Sequence, residues 1–228
     1  LPHASCIATN IQTAGKGRRG RKWVSELGEN LTFSFLWRFN QGAAMLSGLS
    51  LVVGIALIRT FKQLGINHAL LKWPNDVLIF HEKAYKKLAG ILIELQGDMD
   101  GQSLAVIGIG INLNISKKQI KKIDQPAIDL QTITQESINP NNLIALIIKE
   151  LAKVLSEFEL NGFSSLKEEW VMSHAFHEKV ISLTKGDGQN VTGIVIDISA
   201  EGSLILQTNQ GQQNFSSGEV VLNKDWNN

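Results

Sequence analysis

Five basic side chains, Lys16, Arg18, Arg19, Arg21 and Lys22, fall within seven residues, with Gly17 and Gly20 between them and Gly15 just ahead. Glycine at that density holds neither a helix nor a strand, so the segment is a loop that the rest of the fold must accommodate. No acidic residue precedes Glu26, so nothing nearby in the chain neutralises it. Five like charges repel one another, and the loop is expected to be mobile until an anion orders it. Backbone amides between glycines can point at an anion, and arginine makes flat two-point contacts with phosphate or carboxylate. Two readings therefore stand side by side. One is a phosphate-binding loop that orders on its ligand; the other is a solvated basic turn or a nucleic-acid patch. The spacing of Gly15, Gly17 and Gly20 also fits a dinucleotide fingerprint, but that motif needs a following helix and an acidic residue about 20 positions on. Here Arg38 and Asn40 stand near that position.

The segment after the loop alternates Leu31, Phe33, Phe35, Trp37 and Phe39 with Thr32, Ser34, Leu36 and Arg38, the period of a strand. Met45 to Leu64 reads as an apolar helix stopped by Gly65. Val77 to Phe80 reads as a strand. Leu88 to Leu95 and Ser103 to Asn112 read as an antiparallel hairpin around a turn at Gly97-Asp98-Met99-Asp100-Gly101. Beyond a polar stretch, Pro140 opens a helix with Leu143, Ile147, Leu151, Val154, Leu155 and Phe158 on one face. Ser165 and Glu168 have capping-box spacing, which predicts a short helix from Ser165. After Glu178 the texture changes. Short apolar runs at Val180–Thr184, Val191–Ile198, Ser203–Gln207 and Glu219–Leu222 are separated by glycine turns, which predicts a small β-barrel. The expected architecture is α+β, with one domain over residues 1–177 and a barrel over 178–228.

Composition narrows the function classes. Of 228 residues, 43% are hydrophobic, enough for a sizeable core, so a disordered chain is excluded. Lys and Arg number 22 against 21 Asp and Glu, a net charge of +1, which does not indicate a globally basic nucleic-acid binder. Cys6 is the single cysteine, which rules out an internal disulfide and suits a reducing, cytoplasmic setting. The uncharged stretch Phe39 to Ile58 is interrupted by Asn40, Gln41, Ser47, Ser50 and glycines, so it reads as a buried helix and no membrane association is expected. The start lacks both a signal-peptide n-region and an initiator Met, and the expectation is a fragment. His174 and His177 lack a third ligand, and no zinc site is expected.

Three further segments carry polar groups at strand ends. Lys72-Trp73-Pro74-Asn75-Asp76 is either a turn with a packed tryptophan or a place where Asn75 and Asp76 serve a Mg²⁺–phosphate. Lys87, at the mouth of the strand Leu88-Ala89-Gly90-Ile91, either snorkels or sets its ammonium against a reacting carboxylate. Gly108-Ile109-Gly110-Ile111-Asn112 is an apolar strand whose glycines imply a close approach, with Asn112 capping it or bonding a ligand.

Together these segments resemble the biotin protein ligases. Gln12-Thr13-Ala14-Gly15-Lys16-Gly17-Arg18-Arg19-Gly20-Arg21-Lys22-Trp23, Lys72-Trp73-Pro74-Asn75-Asp76, Lys87-Leu88-Ala89-Gly90-Ile91-Leu92 and Gly108-Ile109-Gly110-Ile111-Asn112 come in that family's order. Ser217-Gly218-Glu219-Val220 fits its C-terminal barrel. The resemblance implies a mixed β-sheet with flanking helices, related to class II aminoacyl-tRNA synthetases, followed by an SH3-like barrel. It implies ATP-dependent activation of biotin as biotinyl-5′-AMP, with Mg²⁺, and transfer to a lysine of the biotin carboxyl carrier protein of acetyl-CoA carboxylase. Lipoate or octanoate ligation on a related fold is the alternative enzyme, and a nucleic-acid module the non-enzyme one. By family match, Gln12, Lys16, Gly17, Arg18 and Lys87 serve biotin, with Arg18 and Lys87 catalytic. Arg19, Arg21, Trp23, Asn75 and Asn112 serve the adenylate, and Asn75 and Asp76 the Mg²⁺. Lys87 is preferred to Lys86 because Leu-Ala-Gly follows it. The family's earlier strand and helix, with a Ser/Thr-Asn element at biotin, have no clear match before Gln12, so an N-terminal truncation is expected. Its helix-turn-helix is likewise unmatched, and no DNA binding is expected. Pairing into a homodimer through the central sheet is a family habit.

Overall fold

The computed structural model describes residues 1–97 and 101–222. In chain order it contains β1 (Cys6–Thr9), β2 (Asn30–Phe39), α1 (Leu49–Gln63), β3 (Ala69–Lys72), β4 (Asp76–His81), β5 (Ala84–Gly97) and β6 (Ser103–Asn112). Then come α2 (Lys117–Ile120), α3 (Leu130–Thr134), α4 (Pro140–Asn161), α5 (Lys167–Met172), β7 (Val180–Thr184), β8 (Asn190–Ile198), β9 (Leu204–Thr208), β10 (Gly211–Phe215) and β11 (Glu219–Leu222). The strands form a six-stranded sheet in the order β1-β2-β6-β5-β4-β3 and a five-stranded sheet in the order β10-β9-β8-β7-β11. Paired strands run antiparallel. Among the described residues, parallel contacts enter the first sheet as two bridges, Leu71 to His174 and Lys87 to Ala127.

Strand alternation divides the first sheet into two faces. Leu31, Phe33, Phe35, Trp37 and Phe39 of β2 and Ile107, Ile109 and Ile111 of β6 are buried in the core with α1 and α4. The opposite face carries small and polar residues. Thr32 pairs with Gly110, Gly110 with Gly90, and Gly90 with Asp76, so one row crosses four strands. This row is the floor of the site described below.

Several local expectations need correction. The apolar run from Met45 does not begin as an α-helix: a 3-10 turn covers Ala43–Leu46, and α1 starts at Leu49 behind Gly48. Ser165 is not an N-cap. It closes the 3-10 turn Phe163–Ser165 and donates to the Gly162 carbonyl, while Leu166 precedes α5 without a side-chain cap. Asn139 caps α4 by accepting from the amides of Asn141 and Asn142, with Pro140 in the first turn. The hairpin of β5 and β6 forms as expected, but its predicted turn centres on residues 98–100, outside the described residues. β1 and β10 carry too weak an alternation to be read from sequence; each is an edge strand held by its neighbour.

Among the described residues, no helix is long and apolar enough to cross a membrane.

Candidate active site

The basic loop folds back on itself. The Gly17 amide donates to the Arg21 carbonyl at 2.7 Å, the Trp23 amide donates to the Gly15 carbonyl at 2.9 Å, and Arg18–Gly20 forms a 3-10 turn between them. In the structure three of the five basic side chains of the loop find partners. Arg18 Nη1 donates to Asn75 Oδ1 at 3.2 Å, Arg19 Nη1 donates to the Thr184 carbonyl at 3.4 Å, and Arg21 pairs with Glu219. The last two partners lie on the second sheet, so both sheets hold the loop.

Beneath the loop lies a cleft of about 290 Å³. Its lining includes Gln12, Lys16, Gly17, Arg18, Arg19, Arg21, Trp23, Asn75, Asp76 and Lys87, ten of the eleven residues singled out from the sequence. Trp23 crosses the glycine row: a Cβ at Gly110 would stand 2.5 Å from its ring atoms, and one at Gly90 would stand 3.4 Å from them. The buried Trp23 Nε1 has no hydrogen-bond partner among the described residues.

Lys87 reaches the cleft through an irregularity in the sheet. Strict alternation would place it with Ala89 and Ile91 on the core side, opposite to Gly90. Between β4 and β5, however, Val77 pairs with Ala89 and Leu78 with Lys87, leaving Leu88 as an extra residue. That bulge turns Lys87 to the cleft side. Its Nζ lies 2.6 Å from Asp76 Oδ1 and 5.8 Å from the Trp23 ring centroid. The ion pair is short but not aligned as a hydrogen bond, and Asp76 Oδ1 has no aligned donor. Lys86 instead faces outward and pairs with Glu82.

Two residues join the site that were quoted but given no role in the sequence. Lys72, at the end of β3, lines the cleft; burial lowers its ammonium below the usual lysine range, with Asp76 acting in the opposite direction. Glu219 lines it as well and holds Arg21, whose guanidinium is raised chiefly by that hydrogen bond. Burial also lowers Arg18 from the usual arginine range. The signal for both was their place inside quoted motifs, but nothing local said that they face the cleft.

Asn112 does not reach the cleft. It is buried, its Nδ2 donates to the carbonyls of Lys87 and Ile128 at 3.1 and 3.0 Å, and its Oδ1 accepts from Asn30. Its amide helps fix the Lys87 backbone, whose carbonyl also accepts from the Ile128 amide at 3.0 Å. Asn75 and Asp76, the residues expected to serve Mg²⁺, face cations in this structure. Asn75 Oδ1 accepts from Arg18 and Asp76 Oδ1 faces the Lys87 ammonium, so the hard oxygens a divalent ion needs already face cations. Among the described residues, no cluster of three His, Cys, Asp or Glu could hold a metal.

Comparison with known proteins places this arrangement. The family model of the biotin/lipoate A/B protein ligase family matches residues 1–114, and that of the biotin protein ligase C terminal domain matches residues 177–223. The bifunctional ligase/repressor BirA of Escherichia coli is 37% identical over 218 residues, covering 96% of this chain and 66% of that protein. The chain thus spans just under two thirds of that relative's length. The biotin–[acetyl-CoA-carboxylase] ligase of Paracoccus denitrificans is 30% identical over 229 residues, covering 97% of this chain and 92% of that protein. The structure of the biotin protein ligase from Aquifex aeolicus in complex with biotin and ATP superimposes with a TM-score of 0.79 at 28% identity, covering 98% of this chain and 90% of that one. The mixed sheet with flanking helices and the SH3-like five-stranded sheet follow that fold. By sequence, by fold and by the motifs gathered in its cleft, the chain belongs to the biotin/lipoate A/B protein ligase family, among the biotin protein ligases.

Proposed function

We propose that this chain activates biotin with ATP and transfers it to a lysine of a biotin carboxyl carrier protein, with residues 1–177 as the catalytic domain and 178–228 as the barrel. The observation that carries this reading is the gathering of Arg18, Lys72 and Lys87 in one half-buried cleft under the basic loop. In the first step a carboxylate oxygen of biotin attacks the α-phosphorus of ATP. The bond from that phosphorus to the pyrophosphate oxygen breaks, and pyrophosphate leaves with its electron pair. Two anions must meet, and fixed cations in a partly desolvated site favour that encounter over water.

Arg18 and Lys87 bind the biotin carboxylate, with Gln12, Lys16 and Gly17 on the same side. Arg19 and Arg21 serve the adenylate phosphates, exchanging their contacts to Thr184 and Glu219 for the ligand, and Trp23 packs on the nucleotide. Mg²⁺ enters with ATP as part of the substrate. In the second step the neutral lysine amine attacks the acyl carbon, the carbon–oxygen bond to phosphate breaks, AMP leaves, and the amide nitrogen releases a proton. Lys87, beside the acyl oxygen, stabilises the charge that develops there.

The test is one incubation of the chain with MgATP and a carrier domain, with biotin and lipoate in parallel, read by the mass of the carrier. A biotin adduct is the expected result. A lipoate adduct alone would move the chain to the other branch of the family, and neither adduct nor pyrophosphate release would overturn the reading.

A further inference from the structure

The Lys72–Asp76 turn rests on the second sheet. Trp73 is 1% exposed, and its Nε1 donates to the Gly202 carbonyl at 3.0 Å. Gly202 lies in the turn between β8 and β9, closed by its amide on the Ser199 carbonyl at 3.0 Å and by the Ser199 amide on the Ser203 carbonyl at 2.8 Å. The backbone of Gly202 presses on Gly48, ahead of α1. A Cβ at Gly202 would stand 2.8 Å from the Gly48 Cα and 3.1 Å from Leu51 Cδ1. Ser47 Oγ adds a 2.6 Å hydrogen bond to the Glu201 carbonyl. The start of α1, the β8–β9 turn and the Trp73 indole thus form one packed unit. Just beyond Trp73, Asn75 holds Arg18 and Asp76 holds Lys87.

We propose that Trp73 is a positioning residue, braced by the β8–β9 turn, and that this brace sets where Asn75 and Asp76 hold Arg18 and Lys87 for reaction with ATP. The inference rests on the adenylation reading above and deepens it. The second sheet, in this reading, is part of the catalytic geometry although it contributes no reacting group through this turn. A neutral hydrogen bond and the orientation it enforces are worth about fivefold or more in rate when the reacting groups are held in register.

Two glycines make the test. Gly202 and Gly65 have φ of +80° and +79°, so alanine carries similar backbone strain at either position. They differ in their surroundings, because a Cβ at Gly65 would have nothing within 4 Å. Biotin-dependent ATP–pyrophosphate exchange is measured over MgATP, together with amide hydrogen exchange, for the wild type, Gly202→Ala, Gly65→Ala and Trp73→Phe. Gly202→Ala is expected to lower kcat/KM for ATP at least fivefold and to speed hydrogen exchange at residues 75 and 76. Trp73→Phe, which keeps a ring but loses the donor, should reproduce both effects. Gly65→Ala should lower the melting temperature while leaving both readouts unchanged. Equal kinetics and equal protection in the two glycine variants would reduce Trp73 to packing and overturn the proposal. If the wild type shows no pyrophosphate exchange, the adenylation reading fails separately, and the hydrogen-exchange comparison alone decides the brace.

Discussion

The indole of Trp23 lies on Gly110, so close that a Cβ there would stand 2.5 Å from the ring. Gly110 pairs across the sheet with Gly90, where a Cβ would stand 3.0 Å from Lys87 Nζ. Two facing glycines therefore make a shelf on which an aromatic ring and an ammonium sit side by side.

Gly110→Ala should lift Trp23 off the sheet, because backbone on both sides fixes the strand and the ring must give way. The expected outcome is a folded protein whose KM for ATP rises at least tenfold, consistent with about 1–3 kcal/mol for a lost stacking surface. Exchange kinetics with an unchanged KM would show that Trp23 does not serve the nucleotide.

Lys87→Ala removes the cation facing Asp76, whereas Lys86→Ala removes one that faces Glu82 at the surface. A charge-assisted contact is worth ~1.5–3 kcal/mol, roughly 10- to 150-fold in rate. Lys87→Ala and Arg18→Ala are each expected to slow biotinyl-adenylate formation at least tenfold with the fold intact by circular dichroism. Lys86→Ala should match the wild type. The reverse pattern at Lys86 and Lys87 would move the reactive-site lysine by one residue.

Asn112→Ala separates structural from nucleotide-contacting roles. It strands the Asn30 side-chain donor and the Ile128 carbonyl in a buried setting, while the Lys87 carbonyl keeps the Ile128 amide as a donor. A loss of roughly 2–3 kcal/mol in urea unfolding is expected, with activity falling because the Lys87 backbone loses one of its three hydrogen bonds to Asn112, Pro126 and Ile128. Unchanged stability with a raised KM for ATP would restore Asn112 to the nucleotide.

His174 carries a pH signature. Burial, with smaller contributions from His177 and Lys179, pushes its imidazole down to about 3. It stays neutral in the fold, while in the unfolded chain it takes a proton near the ordinary value of ~6.5. Its contribution to stability is therefore intact above about pH 6.5 and is lost as pH falls towards 3, by up to ~1.4 kcal/mol per pH unit. His174→Phe, stacked on Trp170 in its place, should flatten the slope of unfolding free energy against pH between 6 and 4. An unchanged slope would place the proton uptake elsewhere.

Much of this protein was legible in its sequence because the signals are local. Alternation along Leu31–Phe39 marks β2, the apolar stripe from Leu143 to Phe158 marks α4, and glycine turns after Glu178 mark the short strands of the second sheet. The four quoted segments supplied the family resemblance, and ten of the eleven residues singled out in them line the cleft. What stayed hidden depended on partners distant in the chain. β1 pairs with β2 and β10 with β9, and neither edge strand has enough alternation of its own to be seen. Lys72 and Glu219 sat inside motifs already in view, yet their facing into the cleft depends on how two sheets meet.

By itself, the sequence determined that the basic loop cannot be regular structure and that short strands with glycine turns follow Glu178, and its four ordered motifs carried the resemblance to the biotin protein ligases. Composition and period are enough for the loop and the strands, because glycine density and side-chain alternation act over a few residues; the resemblance rests on the motifs themselves. Only the tertiary structure decided which groups meet. A one-residue bulge at Leu88 turns Lys87 to the cleft, Asn112 meets Asn30 and the carbonyls of Lys87 and Ile128, and Asp76 and Asn75 face Lys87 and Arg18. Each outcome turns on a buried polar group taking the nearest partner the packed chain offers, and that partner lies outside its own sequence neighbourhood.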